Sequence, residues 1–189
     1  MRSRILVLIS GSGTNLEALL HSLPNSRIAA DVVAVGSDQE AAGLQHAHQR
    51  GIPTFVLGFE KGMNREAWAR DLGDAMDTFT PDLIVLSGFM RLLPPSLLAR
   101  FESRIINTHP SFLPEFPGAH AVRDALDAKV VETGASVIVV DAGVDTGEIL
   151  AQSRVSVFPG DTEESLHDRI KILERQLLLE VLTTLIPTP

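Results

Sequence analysis

The chain has 189 residues, 44% of them hydrophobic and none of them cysteine, with 16 Lys+Arg against 24 Asp+Glu for a formal net charge of -8. That length and apolar content suit one compact domain, and the acidic balance argues against a nonspecific nucleic-acid binder, whose affinity comes from basic residues meeting phosphates. Without cysteine there is no disulfide framework and no thiolate metal site, a composition compatible with a reducing compartment.

Arg2 and Arg4 precede an apolar run at residues 5–9, but the run is shorter than a signal-peptide core and Ser10-Gly11 interrupts it. No apolar stretch is long enough to cross a bilayer, so a cytoplasmic protein without a membrane partner is expected. The run at 5–9 is rich in β-branched residues and reads as a strand buried on both faces. It leads into Ser10-Gly11-Ser12-Gly13-Thr14-Asn15 and a helical pattern over 15–23. Glycines there permit a tight turn, and the N–H groups and partial positive charge of a helix start favour an anion, so a phosphate is a natural ligand. A dinucleotide fingerprint needs a third glycine where Leu16 stands, and the Gly-Lys-Ser/Thr of a P-loop is missing.

A second strand is expected at 32–35, followed by Asp38, which could mimic the ribose-binding acid of a dehydrogenase. Helical patterns cover 41–50 and 65–78, and Gly51-Ile52-Pro53 and Pro81-Asp82 supply stops before the next strands. With a strand at 83–86 and another at 137–140, the order reads βαβαβαβ. Right-handed crossovers then favour an α/β fold with a mostly parallel sheet covered by helices and ligands at the carboxyl ends of its strands.

Arg104-Ile105-Ile106 enters Asn107-Thr108-His109-Pro110-Ser111. Strand alternation points Asn107 and His109 to one side, where an amide and an imidazole can converge on a developing oxyanion. Taken alone, His-Pro-Ser at a strand end also suits plain turn chemistry. After a strand over 136–140, the loop Asp141-Ala142-Gly143-Val144-Asp145-Thr146-Gly147-Glu148 carries three acids. Asp145 reaches His109 if their strands are neighbours, and a carboxylate beside imidazole favours its protonated form. Asp141 and Glu148 read as acidic loop surface. His109, His120 and Asp145 can be assembled on paper into a metal site, but no ligand-spacing motif supports one, and no metal is expected. His21, His46, His48 and His167 read as surface or helix-face residues.

The last helix is expected over 163–185, with Asp161 or Thr162 as its cap and Leu166, Ile170, Leu173, Leu177 and Val181 as its buried face. Glu174 projects about 40° from Ile170 at about 100° per residue, which makes it a rim carboxylate bending toward water.

SGSGTNL near the start, SGFMRLL at 87–93, NTHPSFLPEFPGAH at 107–120 and VDTGEIL at 144–150 together resemble the glycinamide ribonucleotide formyltransferase family, across almost the whole chain and in the family's order. The resemblance implies a Rossmann-like three-layer formyltransferase fold. It implies a single domain over 1–189, its N-terminal half supplying the phosphate and substrate site and its C-terminal half the folate loop and catalytic residues. It also implies formyl transfer from 10-formyltetrahydrofolate, a co-substrate, to the amine of glycinamide ribonucleotide in purine synthesis, with small-molecule partners, no metal and no oligomeric state implied. On this likeness Gly13, Thr14 and Asn15 cradle the substrate phosphate and Glu174 faces its amine or sugar. Arg65, Met90, Arg91, Leu92, Leu93, Asn107 and Asp141 serve the folate. Asn107, His109 and Asp145 match the catalytic trio, His120 a supporting histidine, and Leu113-Pro114 a turn where the family can use a cis peptide.

Two residues depart from the family pattern: Ile138 stands where histidine is common, and Ala135 lies near a common threonine. The chain also ends at Leu185-Ile186-Pro187-Thr188-Pro189, shorter than many members. Formyltetrahydrofolate hydrolase and other formyl-folate transferases share the chemistry, but those enzymes usually carry a regulatory or tRNA-binding domain that is not expected here. A nucleotide-binding or dehydrogenase module leaves the Asn107–Asp145 constellation unexplained.

Overall fold

A computed structural model describes residues 2–186; Pro187, Thr188 and Pro189 lie outside the described residues. Among the described residues, seven strands and six α-helices follow one another as β1 (Ser3–Ile9), α1 (Thr14–Ser22), β2 (Ala30–Ser37), α2 (Leu44–His48), β3 (Thr54–Val56), α3 (Arg65–Asp77), β4 (Leu83–Leu86), α4 (Pro95–Arg100), β5 (Ile105–His109), α5 (Ala121–Asp127), β6 (Glu132–Val139), β7 (Ile149–Ser156) and α6 (Glu163–Leu185), with a short 3-10 helix at Leu23–Asn25 after α1. The strands form one sheet in the order β3-β2-β1-β4-β5-β6-β7. Pairings from β3 through β5 are parallel, whereas β6 and β7 add antiparallel.

Alternation along the central strands divides the core into two layers. Ile5, Val7 and Ile9 of β1 join Leu16, Ala47, Val122 and Leu166 from α1, α2, α5 and α6, while Leu6 and Leu8 join Trp68 and Leu72 of α3, Leu97 of α4 and Phe101 just after it. Every residue of β1 from Ile5 to Ile9 is fully buried. Each such large aliphatic side chain stabilises the fold by roughly 1.5–3 kcal/mol relative to exposure. No helix among the described residues is long and apolar enough to cross a membrane.

Three expectations need correction. The strand at 137–140 does not continue the parallel alternation: His109 pairs with Ser136 and Ile106 with Val139, so β6 runs against β5. The connecting helix α5 has seven residues, about 10 Å at 1.5 Å each, and does not return the chain to the amino edge of the sheet. The helix expected over 41–50 shortens to Leu44–His48. Glu174 is not a rim residue: it is 4% exposed within the buried stripe of α6, while Leu173 is only partly buried. The expected start of α6 is borne out, with Thr162 as N-cap in a reciprocal capping box with Ser165. The Leu113-Pro114 peptide is cis.

Candidate active site

The strand order reverses direction between β1 and β4, so the loops leaving these neighbours part and open a crevice at their carboxyl ends. A cavity of about 570 Å³ lies there, walled by the glycine loop, the segment after β4, the end of β5, the β6–β7 loop and one face of α6. The glycine loop and the segment after β4 meet where Ser10 N donates to the Gly88 carbonyl at 3.2 Å.

Gly13 caps α1 in the left-handed conformation at φ 68°, and no side chain caps the first turn. A Cβ on Gly13 would stand 2.8 Å from the Cα of Gly43, so both the turn and its packing against the α2 side require glycine. First-turn amides of a helix lack intrahelical acceptors, which leaves those of Thr14 and Asn15 for an anion in the cavity. The Asn15 side chain is committed elsewhere: its Oδ1 accepts from Arg175 Nε at 2.9 Å and its Nδ2 donates to Glu174 Oε2 at 3.1 Å. Burial pushes the Glu174 carboxyl above its usual range, opposed by the Asn15 amide, then by the His109 charge, nearby Thr108 and Lys171. Thr108 Oγ1 is itself buried and completes no hydrogen bond among the described residues. His46, expected at the surface, is half-buried with Nε2 3.1 Å from the Ser12 carbonyl oxygen.

The expected trio is brought together. His109 is buried, with Nδ1 3.4 Å from Asp145 Oδ2 and Nε2 3.0 Å from the Phe116 carbonyl oxygen. Both ring nitrogens thus face acceptors, and the ring carrying two N–H groups satisfies both. The Asn107 amide lies 3.5 Å from Asp145 Oδ1, and the Gly118 N–H donates to Asp145 Oδ2 at 2.8 Å. Asp145 sits at φ 53° in the β6–β7 loop, which folds across Asn107 and His109. Behind His109, the Ser136 hydroxyl donates to the Ser111 carbonyl at 2.7 Å and accepts from Leu113 N at 3.1 Å, bracing the turn after β5.

On the side expected to face the folate, Met90 and Leu92 are exposed and Leu93 is buried; all three line the cavity. Arg91 also borders it, but its guanidinium turns back to Asp38, donating from Nε to Oδ2 at 2.6 Å. The reading of Asp38 as a mimic of a ribose-binding acid therefore fails, because the carboxylate is buried and occupied by Arg91. Arg65 lies outside the cavity lining; it donates to the Leu92 carbonyl and stacks over Phe59 at 5.7 Å.

His120, Asp141 and Ile138 line the cavity as well. Asp141 is engaged within its own loop, accepting from Gly143 N at 3.0 Å and Thr146 Oγ1 at 2.8 Å. Ile138 pairs across the sheet with Asn107, so the residue that departs from the family pattern presents an apolar wall beside the trio, while Ala135 is buried in the core. Sequence reasoning missed His167 and Lys171, which line the cavity one and two turns along α6 from Glu163. The four-residue spacing from His167 to Lys171 and the three-residue spacing from Lys171 to Glu174 were the available signal. Burial lowers the His167 pKa from its ordinary value, and Lys171 adds to that. Among the described residues, no three His, Cys, Asp or Glu side chains are grouped to share a metal ion.

The formyl transferase family profile matches residues 3–182. A phosphoribosylglycinamide formyltransferase from Mycobacterium tuberculosis is 46% identical over 183 residues, 97% of this chain and 85% of that relative. The trifunctional purine biosynthetic protein adenosine-3 of Drosophila melanogaster is 41% identical over 188 residues, 98% of this chain and 14% of that protein. The crystal structure of glycinamide ribonucleotide transformylase 1 from Symbiobacterium toebii aligns with a TM-score of 0.92 at 41% identity, covering 96% of this chain and 86% of the other.

Proposed function

Because the chain belongs to the formyl transferase family, we propose that it transfers the formyl group of 10-formyltetrahydrofolate to the amine of glycinamide ribonucleotide in purine synthesis. The observation that carries this reading is the convergence of the Asn107 amide and the His109 imidazole on the Asp145 carboxylate, in the cavity onto which the bare N-terminus of α1 opens. Two donors aimed at one anion on a cavity wall suit a carbonyl oxygen that gains charge during reaction.

In the proposed step the amine nitrogen attacks the formyl carbon and the carbonyl π electrons move to oxygen. The Asn107 amide donates to that oxygen, and so does the Nδ1–H of His109, which turns from Asp145 to the formyl group as it enters while Nε2 stays on the Phe116 carbonyl and Asp145 stays on the Gly118 N–H. The carbon–nitrogen bond to the folate then breaks as the oxygen re-forms its double bond. One proton leaves the attacking amine and one reaches the departing folate nitrogen, so the products are the formylated amide and tetrahydrofolate. Removing a donor of this kind typically costs about a hundredfold to a thousandfold in rate. Thr14 and Asn15 present backbone amides to the substrate phosphate, with Gly13 shaping the turn, and Glu174 faces the amine end beside Lys171. Met90, Leu92 and Leu93 wall the folate side, Arg91 contributes backbone groups, and Arg65 and Asp141 hold the loops that carry it. His120 stands at the rim as a supporting group.

Purified protein incubated with 10-formyltetrahydrofolate and glycinamide ribonucleotide is expected to give tetrahydrofolate and formylated product in equal amounts. Tetrahydrofolate release without formylated product would replace the proposal with hydrolysis of the donor.

A further inference from the structure

Phe89 and Leu93 anchor the segment 87–93 in the core, but Met90 and Leu92 between them are 66% and 57% exposed, so burial leaves the path of that stretch open. Polar ties fix the stretch between them. Met90 N donates to Ser10 Oγ at 2.8 Å, Arg91 Nε donates to Asp38 Oδ2 at 2.6 Å, and the Leu92 carbonyl accepts from Arg65. Asp38 is anchored deep, with a side chain 3% exposed at the end of β2, while the Arg91 side chain is 37% exposed. The next residue, Gln39, donates to the Ser10 carbonyl, so one turn at the end of β2 grips both the start of the glycine loop and the segment after β4. Arg91 and Arg65 also flank the Phe59 ring at 5.9 and 5.7 Å, and Phe59 packs on Trp68 at 5.2 Å.

We propose that Asp38 is a positioning residue for the reaction. By holding Arg91 turned back toward β2, it sets the path of the backbone between Met90 and Leu93 and so the shape of the folate side of the cavity. This rests on the formyl-transfer reading for the identity of the ligand. The geometry favours such a role because side chains alternate along this stretch. Drawing Arg91 inward leaves Met90 and Leu92 facing out of the segment, with the backbone groups between them fixed at the cavity wall. A charge-assisted hydrogen bond to a buried carboxylate is directional and strong, whereas an exposed apolar pair gives no comparable preference for one backbone path. Asp38 Oδ1 has no hydrogen-bond partner among the described residues, so the carboxylate has no second cation to share its charge with Arg91.

The test is a double-mutant cycle on full-length protein with Asp38→Asn, Arg91→Gln and both together. Asparagine keeps the shape and one acceptor but removes the charge. Tetrahydrofolate affinity is read from the fluorescence of Trp68, the single tryptophan, which lies against Phe59. Each single substitution is expected to weaken tetrahydrofolate binding about tenfold, the loss typical of a charge-assisted hydrogen bond, and the double substitution by little more than either alone. KM for the formyl donor should rise in parallel while KM for glycinamide ribonucleotide stays within about twofold. Losses that multiply to about a hundredfold would mean the two residues act independently and would overturn the proposal. So would a lower melting temperature with wild-type folate affinity, which assigns the pair to stability alone. Wild-type protein that binds tetrahydrofolate yet forms no product would defeat the reaction proposed above while the binding cycle still decides the role of Asp38. Wild-type protein that bound no tetrahydrofolate would overturn both.

Discussion

Glu174→Gln separates the stability cost of a buried carboxylate from its service to the substrate. The carboxyl is 4% exposed and burial raises its pKa above the ordinary value near 4.5, so the folded protein binds this proton more tightly than the unfolded chain does. Stability therefore falls as pH climbs from about the unfolded value through the raised folded one, by about 1.4 kcal/mol for each unit of difference. Glutamine does not titrate, keeps the oxygen that accepts from Asn15, and brings an amide that the unpartnered Thr108 hydroxyl can accept from. The variant should match or trail wild type below pH 4.5 and overtake it toward neutral pH. Its use of glycinamide ribonucleotide should suffer, because losing a charge-assisted hydrogen bond of about 1.5–3 kcal/mol raises KM by about 10- to 150-fold. Tetrahydrofolate affinity should change by no more than about twofold. Urea unfolding between pH 4 and 8, paired with steady-state kinetics in each substrate, reads both effects. Stability curves for the two proteins that run parallel across that range, or equal losses for the two ligands, would refute the reasoning.

Gly13→Ala places a Cβ 2.8 Å from the Gly43 backbone at φ 68°, and the left-handed conformation alone costs a non-glycine residue roughly 1–2 kcal/mol. A stability loss of about 2–4 kcal/mol is expected, together with weaker binding of glycinamide ribonucleotide than of folate; thermal unfolding and calorimetric titration check it, and an alanine variant of wild-type stability would count against the turn as described. Asp145→Asn keeps a residue type that tolerates φ 53° but removes the anion that Asn107, His109 and Gly118 face, so kcat should fall by about a hundredfold or more with the melting temperature nearly unchanged. Wild-type kcat in that variant would remove Asp145 from the trio.

Elements that concentrate their information locally were legible. The run at 5–9 is apolar at every position because β1 is covered on both faces, and Gly13 marks the turn because only glycine fits its backbone and its neighbour. Two-residue alternation was enough to pair Asn107 with His109. β7 was missed because Ile149–Ser156 is an edge strand with no fully buried residue and hence no apolar run, and β3 because it has only three residues. Helical geometry placed Glu174 beside the apolar stripe but could not reveal that Asn15, 159 residues earlier, fixes it inside. For Asp38, proximity to a strand end suggested a ligand, whereas the partner proved to be Arg91, 53 residues away. In each case the deciding contact is long-range, and periodicity carries no information about it.

The chain Arg175–Asn15–Glu174 gives the proposed substrate site a built-in ruler. Asn15 lies in the first turn of α1, so its backbone amide belongs to the end of the cavity proposed to receive the phosphate, while its side chain holds the carboxylate assigned to the amine end. Arg175 donates to the same side chain at 2.9 Å, which fixes the amide orientation: with Oδ1 occupied, only Nδ2 remains to face Glu174. A helix opening beside β1 and a helix following β7, already packed in one core, are tied at this residue by hydrogen bonds as well. The spacing between the proposed phosphate cradle and the proposed amine-facing carboxylate is then held by that side chain on top of the apolar packing of α1 and α6 on the sheet. A ligand too short to reach from one to the other keeps its phosphate contacts but leaves its amine away from Asn107 and His109. Discrimination by length thus falls on the reactive step more than on binding, because contacts made equally before and during reaction lower KM without raising kcat.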